Sequence, residues 1–232
     1  RGNVYTSTEY PKHLRITMHS ELSYSKEPPS KLIFYCETPS TEGGETPISD
    51  CRKVYEDMPV ELRDKFENLG VKYVKNMPGD DKGLGKSWMD HLETTSKKKV
   101  EKYLEENEIS FEWLDDGMLR TESVRPAVRK HPVTGEMVWY NQSNLWHVSN
   151  FEEQRRKTLL QICGEEKLPT HCYFGDGSPM SDEDLDTVRN VMWDAAVIFP
   201  WHAGDLLVVD NYMAAHGRMA FDGPRKVLVA MG

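Results

Sequence analysis

Three features of the chain carry chemistry by residue type and spacing. The first is His19-Ser20-Glu21. On a strand, residues i and i+2 point to the same face, so one short segment would present an imidazole and a carboxylate side by side. A second histidine from elsewhere would complete a two-histidine, one-carboxylate set on one face of a metal. Such a set leaves other coordination positions open, the arrangement of non-haem Fe(II) oxygenases. Taken alone, His-x-Glu is a weak signal, because most such pairs are incidental. The second feature lies in AGDLLVVDNYMAAHGRMAFDGPRKVLVAM, where a turn at Ala203-Gly204 starts an apolar strand that delivers the chain to His216. The third is Arg225, nine residues further on, which opens another apolar strand. A guanidinium aimed into a β core needs an anionic partner, and its fork matches a carboxylate bidentately. A dicarboxylic cosubstrate would serve; so would a structural pair with Asp210 or Asp222.

The elements around these residues read as β, then helical, then β. Ile16 to Glu21 and Leu32 to Glu37 are short β-rich segments separated by SYSKEPPS, whose prolines cannot lie inside a central strand. STEGGETP is a turn with paired glycines, Gly43 and Gly44. Helices are expected over Cys51 to Met58, Pro59 to Leu69, Ser96 to Asn107 and Asn150 to Ile162. Another should start near Ser181, where SDED resembles a capping box. Val100, Tyr103 and Leu104 would form the core-facing stripe of the third. Ile109 to Asn141 returns to strand character, and VIFPW, AGDLLVVDN and RKVLVAM close the chain as strands. A β core with a helical insertion suggests a single domain over 1–232. Its double-sheet jelly roll would be built from about 1–50 and 195–232, with an insertion over about 51–194.

Composition narrows the partners. Net charge is −9, with 38% hydrophobic and 29% charged residues, which disfavours nucleic acid and anionic membranes as partners. No apolar run approaches the roughly 20 residues of a membrane span, and RGNVYTSTEY lacks a signal-peptide layout. Cys36, Cys51, Cys163 and Cys172 are scattered without a CxxC pair, so reduced thiols in a cytoplasmic protein are the simplest reading. The chain opens without Met and ends on an apolar run, as though cut from something longer.

HSELSYSKEPPSKLIFYCETPSTEGGETPISD and DNYMAAHGRMAFDGPRKVLVAMG resemble the two signature regions of the taurine dioxygenase / clavaminate synthase-like superfamily. RPAVRKHPVTGEMVWYNQSNLWH is similar to its syringomycin-type aspartyl hydroxylase branch, so the resemblance covers nearly the whole chain. It implies a jelly-roll oxygenase using Fe(II), 2-oxoglutarate and O₂, with His19, Glu21 and His216 as metal ligands and catalytic centre. It further implies Arg225 on the far carboxylate of 2-oxoglutarate and the Thr46 hydroxyl on the carboxylate near iron. Two departures stand out. The His216-to-Arg225 interval is slightly short for taurine dioxygenase, and the position of that enzyme's second arginine is Val229, which argues against a sulfonate substrate. Related halogenases replace the carboxylate by a small residue, so an intact Glu21 implies hydroxylation or another outcome of hydrogen abstraction. The expected substrate is a small amino-acid-like molecule, free or tethered to a peptidyl carrier protein. The rivals are a desaturating or cyclising oxygenase of the same fold, a non-catalytic jelly roll that binds metal or a partner, and a zinc hydrolase. The last lacks an HExxH helix.

Substrate contacts are read less sharply. Tyr5, with Thr6 and Ser7, could neighbour the site. Arg125 could take a substrate carboxylate or form a structural pair. Asn141 and Gln142 could bond a polar substrate or satisfy a loop backbone. His147 sits in the aromatic and amide mixture of a pocket wall, and Arg218 could face the site or cap a turn. NMPGDDKGLGKSW, with Gly79, Gly83 and Gly85, reads as a mobile lid.

Overall fold

Strand Lys31–Thr38 alternates exposed and buried positions, turning Leu32, Phe34 and Cys36 inward as its period-two pattern requires. In the computed structural model, which describes residues 4–6, 10–80 and 84–232, this strand lies inside a four-stranded antiparallel sheet. Leu206–Asp210 flanks it on one side; Lys226–Met231 and then Val4–Thr6 flank it on the other. A second antiparallel sheet runs Ala196–Val197, Ile48–Asp50, Ala214–Arg218, Ile16–His19. Inward residues of the two sheets meet in one apolar layer. Phe34, Val209, Val227 and Val229 come from the first sheet and Ile48 and Ala214 from the second, with Trp201 beside them. The double-sheet jelly roll expected from the sequence is the observed core. All its strands come from residues 4–50 and 196–231. Ser7 and Gly83, the latter in the expected lid segment, lie outside the described residues.

Residues 51–194 supply the helices and, beyond the helical insertion expected, a third four-stranded antiparallel sheet. Its order is Thr170–Phe174, Val71–Met77, Leu119–Arg125, Ser110–Trp113. The helices start where capping side chains are placed. The Ser96 hydroxyl accepts from the Lys99 amide before Lys97–Glu106, and the Ser181 hydroxyl accepts from the Asp184 amide before Asp182–Asp194. Val100 and Leu104 are buried as the stripe predicts, whereas Tyr103 is 47% exposed and lines a cavity. The largest apolar cluster joins Met18 and Ala215 of the second sheet to Phe66, Trp139, Phe174 and Leu185. The helical layer therefore backs the sheet that carries both histidines.

Two elements differ from expectation. The segment Ile16 to Glu21 is a strand only as far as His19, and Glu21 lies in the turn that follows. VIFPW contributes only Val197, to the two-residue strand Ala196–Val197; Pro200 has no N–H to give a ladder. Among the described residues no helix is long and apolar enough to cross a membrane.

Phe66 is fully buried, with its ring centroid 4.9 Å from Trp139 and 5.0 Å from Phe174. Phe66→Ala is expected to lower unfolding free energy by about 3–5 kcal/mol, the usual cost of deleting a buried aromatic ring. Urea titration with an unchanged m-value would establish this; a loss under about 1 kcal/mol would mean the layer collapses onto the gap.

Candidate metal centre

His19 and His216 lie on neighbouring antiparallel strands and are direct register partners. Their rings approach to 4.5 Å between centroids, with the Phe34 ring edge-on to His216 at 5.2 Å. The pairing shifts register between His216 and Arg218, and Gly217 occupies the irregularity. A Cβ there would stand 2.7 Å from the Ile16 carbonyl oxygen, so a larger residue would force apart the strands that carry the two histidines.

Glu21 reaches the same spot by another route than strand parity. It follows the end of the strand, just before Leu22 with φ of 52°. Side-chain amides hold this segment. Asn211 accepts from the Glu21 amide at 2.8 Å and donates to the Glu21 carbonyl at 2.9 Å and the Pro29 carbonyl at 2.8 Å. Gln142 donates to the Ser20 carbonyl at 2.7 Å, and Asn144 to the Met18 carbonyl at 2.8 Å. All three amide residues are buried, where an unmet backbone group costs about 1–3 kcal/mol. The result is a carboxylate with Oε2 3.5 Å from His19 Nε2 and 3.7 Å from His216 Nε2. One ligand atom from each residue lies within 4.8 Å of the others.

The electrostatics suit a cation. Burial pulls the His216 imidazole down to about 3, helped by the charge of His19, so its ring is neutral and offers a lone pair at neutral pH. Burial also pushes His19 down, but its bonds to Glu21 and to the Thr17 carbonyl raise it above its ordinary value overall. That carbonyl, 2.8 Å from His19 Nδ1, takes the Nδ1 proton and leaves Nε2 facing Glu21. Burial pushes the Glu21 carboxyl up, yet hydrogen bonding and charge from His19, with His216 beyond, hold it below the usual range.

The same cavity, of about 240 Å³, is also lined by Thr46 and Arg225. Arg225 sits immediately before strand Lys226–Met231, and its Nε donates to the Gly44 carbonyl at 2.9 Å. Gly44 has φ of +75°, and a Cβ on it would stand 3.1 Å from Arg225 Cδ, so Gly44 makes room for this arginine. Burial, then the charge of Arg218, pulls Arg225 down to about 10, a measure of how much an anion would be welcomed there. The two candidate structural partners are engaged elsewhere: Asp210 with Lys31 and His131, Asp222 with Lys12. Trp201 Nε1 donates to the Thr46 hydroxyl at 3.0 Å, leaving its O–H to donate to something else.

The remaining sequence candidates scatter. Tyr5, Thr6 and Arg218 line the cavity, Arg218 donating to the carbonyls of Tyr10, Pro11 and Leu14. Arg125 donates to three carbonyls, of Tyr24, Val124 and Asn107, and borders a separate cavity. Asn141 is committed to its own loop: its amide donates to Ala127, and its oxygen accepts from the backbone N–H and hydroxyl of Ser143. His147 stacks on His171 at 4.5 Å and bonds Ser149 at 2.8 Å, and neither residue lines the cavity at His19. Asn211, Asn144, Phe34 and Trp201 went unassigned in the sequence reading, since an amide or aromatic ring in a core segment carries no spacing signal.

A jelly roll whose one cavity is lined by two histidines, a carboxylate and a buried guanidinium has the layout of the non-haem iron oxygenases. The chain matches, over residues 1–231, the family described as taurine catabolism dioxygenase TauD, TfdA family, and it belongs to that family of Fe(II)- and 2-oxoglutarate-dependent oxygenases. Dapdiamide synthesis protein DdaC of Enterobacter agglomerans is 40% identical over 228 residues, covering 98% of this chain and 68% of the relative. A clavaminate synthase-like protein of Arabidopsis thaliana is 31% identical over 237 residues, covering 99% and 68%. Asparagine oxygenase in complex with Fe(II), 3-hydroxyasparagine and succinate shares the fold at TM-score 0.54 and 11% identity, covering 94% of this chain and 50% of that one. The chain thus spans about two-thirds of these curated relatives and half of this structure.

Asn211→Ala removes the clamp on Glu21 without touching a ligand atom. Mn(II) affinity by calorimetry is expected to fall about 10–100-fold, as for other groups that orient metal ligands. An unchanged affinity would mean the Glu21 turn holds itself. Next to the clamp, burial pushes the Asp210 carboxyl up, but Lys31, the Tyr212 amide and His131 hold it net below its ordinary value. A depressed carboxyl stabilises the fold above its unfolded pKa, about 3.9, and loses that contribution as pH falls through its folded value. The Tm difference between wild type and Asp210→Asn should therefore be full at pH 7 and shrink below about pH 4.

Proposed function

We propose that this protein is an Fe(II)- and 2-oxoglutarate-dependent oxygenase that hydroxylates an unactivated C–H bond of an amino acid or amino-acid-derived substrate. The observation that carries the reading is that one cavity is lined by His19, Glu21, His216, Thr46 and Arg225 together. The donor set fits iron: two imidazoles and one carboxylate, with one ligand atom from each within 4.8 Å of the others. His19, Glu21 and His216 would hold the ion. With 2-oxoglutarate and O₂, the bound ion supplies oxidising power for the C–H bond as the cosubstrate loses CO₂ to become succinate.

The chain's own part is position and dryness. Arg225 receives the far carboxylate of the cosubstrate, its fork preset by the bond to the Gly44 carbonyl. Thr46, oriented by Trp201, donates its hydroxyl to the near carboxylate. Phe34, Val229 and Met231 line the cavity with apolar surface, which strengthens each of these polar contacts. Tyr5 and Arg218 stand at the same cavity as candidates for substrate contact. Residues 1–232 act as one oxygenase domain in this reading, and the four unpaired cysteines suit a reducing cytoplasm.

Support for an amino-acid substrate comes from relatives. One takes part in dapdiamide synthesis, and asparagine oxygenase is seen with a hydroxylated asparagine and succinate. Whether the substrate is free or carried on a peptidyl carrier protein is settled by assay. Succinate formation from 2-oxoglutarate would be followed with Fe(II), O₂ and ascorbate against free amino acids and the same residues loaded on carrier protein. The expected result is substrate-stimulated succinate with gain of one oxygen atom in the product, reduced at least about 100-fold in His216→Ala. A product that instead loses two hydrogens would make the protein a desaturase or cyclase. Failure to bind Fe(II) and 2-oxoglutarate would overturn the reading.

A further inference from the structure

A second cavity, of about 90 Å³, lies between strand Val71–Met77, helix Lys97–Glu106 and the turn that follows Glu21. None of the residues at the metal centre lines it. Lys75 points into it from the middle of the strand, with Nζ 2.9 Å from His91 Nε2 and 5.5 Å from the centroid of the Trp146 ring. Among the described residues no carboxylate pairs with Lys75, whereas Lys72 on the same strand is bonded to Glu122 at 2.8 Å. Burial alone pulls the Lys75 ammonium down to about 8. Burial, then the charges of Lys75 and Lys86, pulls His91 down to about 4. His91 is therefore a neutral acceptor for one ammonium proton, and both residues line the cavity. Tyr24 also lines it; its hydroxyl is pushed up to about 12 by burial, then by Glu21, and so remains a donor.

A partly buried ammonium whose one hydrogen-bond partner is a neutral imidazole, in a cavity also lined by a phenol, leaves a charge that an anion would complete. Charge and size select the anion. Lys26 also lines the cavity but is paired with Glu108 at 2.7 Å. One ammonium, that of Lys75, is left to balance one negative charge, and Met77, Leu104, Ile109 and Trp146 provide apolar walls. A carboxylate with a short hydrocarbon stem fits these terms, whereas a phosphate of about two charges would ask for further cations. A cavity of this size is well below the roughly 150 Å³ that holds benzene, so it admits a carboxylate group and a few carbons and no more.

We propose that this cavity is a second carboxylate-binding site, in which Lys75 and Tyr24 hold a small monocarboxylate or the carboxylate end of a longer ligand. It is separate from the anion site at Arg225. Tyr24 is also the link to the metal centre: it follows Glu21 by three residues, and its ring lies 4.8 Å from Trp146 and 6.0 Å from Tyr73. Occupancy would order the turn that presents Glu21.

The test needs neither iron nor cosubstrate, so it stands or falls apart from the proposed activity. Lysines of the metal-free protein would be acetylated with acetic anhydride at pH 8 and quantified one by one by mass spectrometry, with propionate as the probe and ionic strength held constant. At propionate ten times its Kd, Lys75 labelling should slow about tenfold while Lys72 labelling is unchanged, since protection follows 1 + [L]/Kd. The protection should persist in Arg225→Met. A saturable Trp fluorescence change with propionate should vanish in Lys75→Met and return in Lys75→Arg, with both variants checked for wild-type circular dichroism. Equal protection by chloride, loss of protection in Arg225→Met, or no protection at saturating propionate would each overturn the proposal.

Discussion

The metal centre depends on an interaction remote from any metal: three buried amide side chains that hold the backbone of residues 18–21. The strand ladder ends at His19, so the groups beyond it have no strand partner in a dry interior. Asn211 closes on both backbone groups of Glu21, while Gln142 and Asn144 take the carbonyls of Ser20 and Met18. Each satisfies a group that would be costly to bury unmet. Together they convert a strand end, normally free to fray, into a fixed mount for a carboxylate.

The clamp also explains why the insertion and the jelly roll form one unit. Asn211 belongs to the turn between two jelly-roll strands, whereas Gln142 and Asn144 come from the segment between strand Met137–Trp139 and helix Glu153–Cys163. Gln142 is anchored in turn by the Tyr73 hydroxyl, which accepts from its amide at 2.9 Å, and by Trp146, which donates to its side-chain oxygen. The third sheet is thereby tied to the two histidines through side-chain hydrogen bonds, beside the apolar cluster around Phe66 and Trp139. The Lys75 cavity lies at that same junction.

Burial does different work at each end of the cavity beside His19. At His216 it removes a proton and frees a lone pair; at Arg225 it acts, with the nearby charge of Arg218, on a guanidinium held by the Gly44 carbonyl. A metal ion would be welcome at the first and an anion at the second, and the distance between them is spanned by a single small chelating cosubstrate in the proposed reading.

Much of this was legible in the sequence. Alternation along KLIFYCET specifies a strand with one buried face, capping serines mark helix starts, and Gly43-Gly44 marks a turn that only residues tolerant of positive φ adopt. His19, Glu21, His216 and Arg225 were nameable because their types are rare in apolar surroundings and their order resembles a known pattern. Tertiary structure alone decided how they meet. Strand parity would put Glu21 beside His19 for a local reason, but the real cause is a turn held by residues more than a hundred positions away. It likewise assigned Asn141 to its own loop and His147 to a stack with His171, and it left Lys75 without a carboxylate partner among the described residues. Local sequence encodes backbone preference and burial pattern, because these depend on near neighbours. Which buried polar group satisfies which is a property of the packed chain, and no spacing rule reports it.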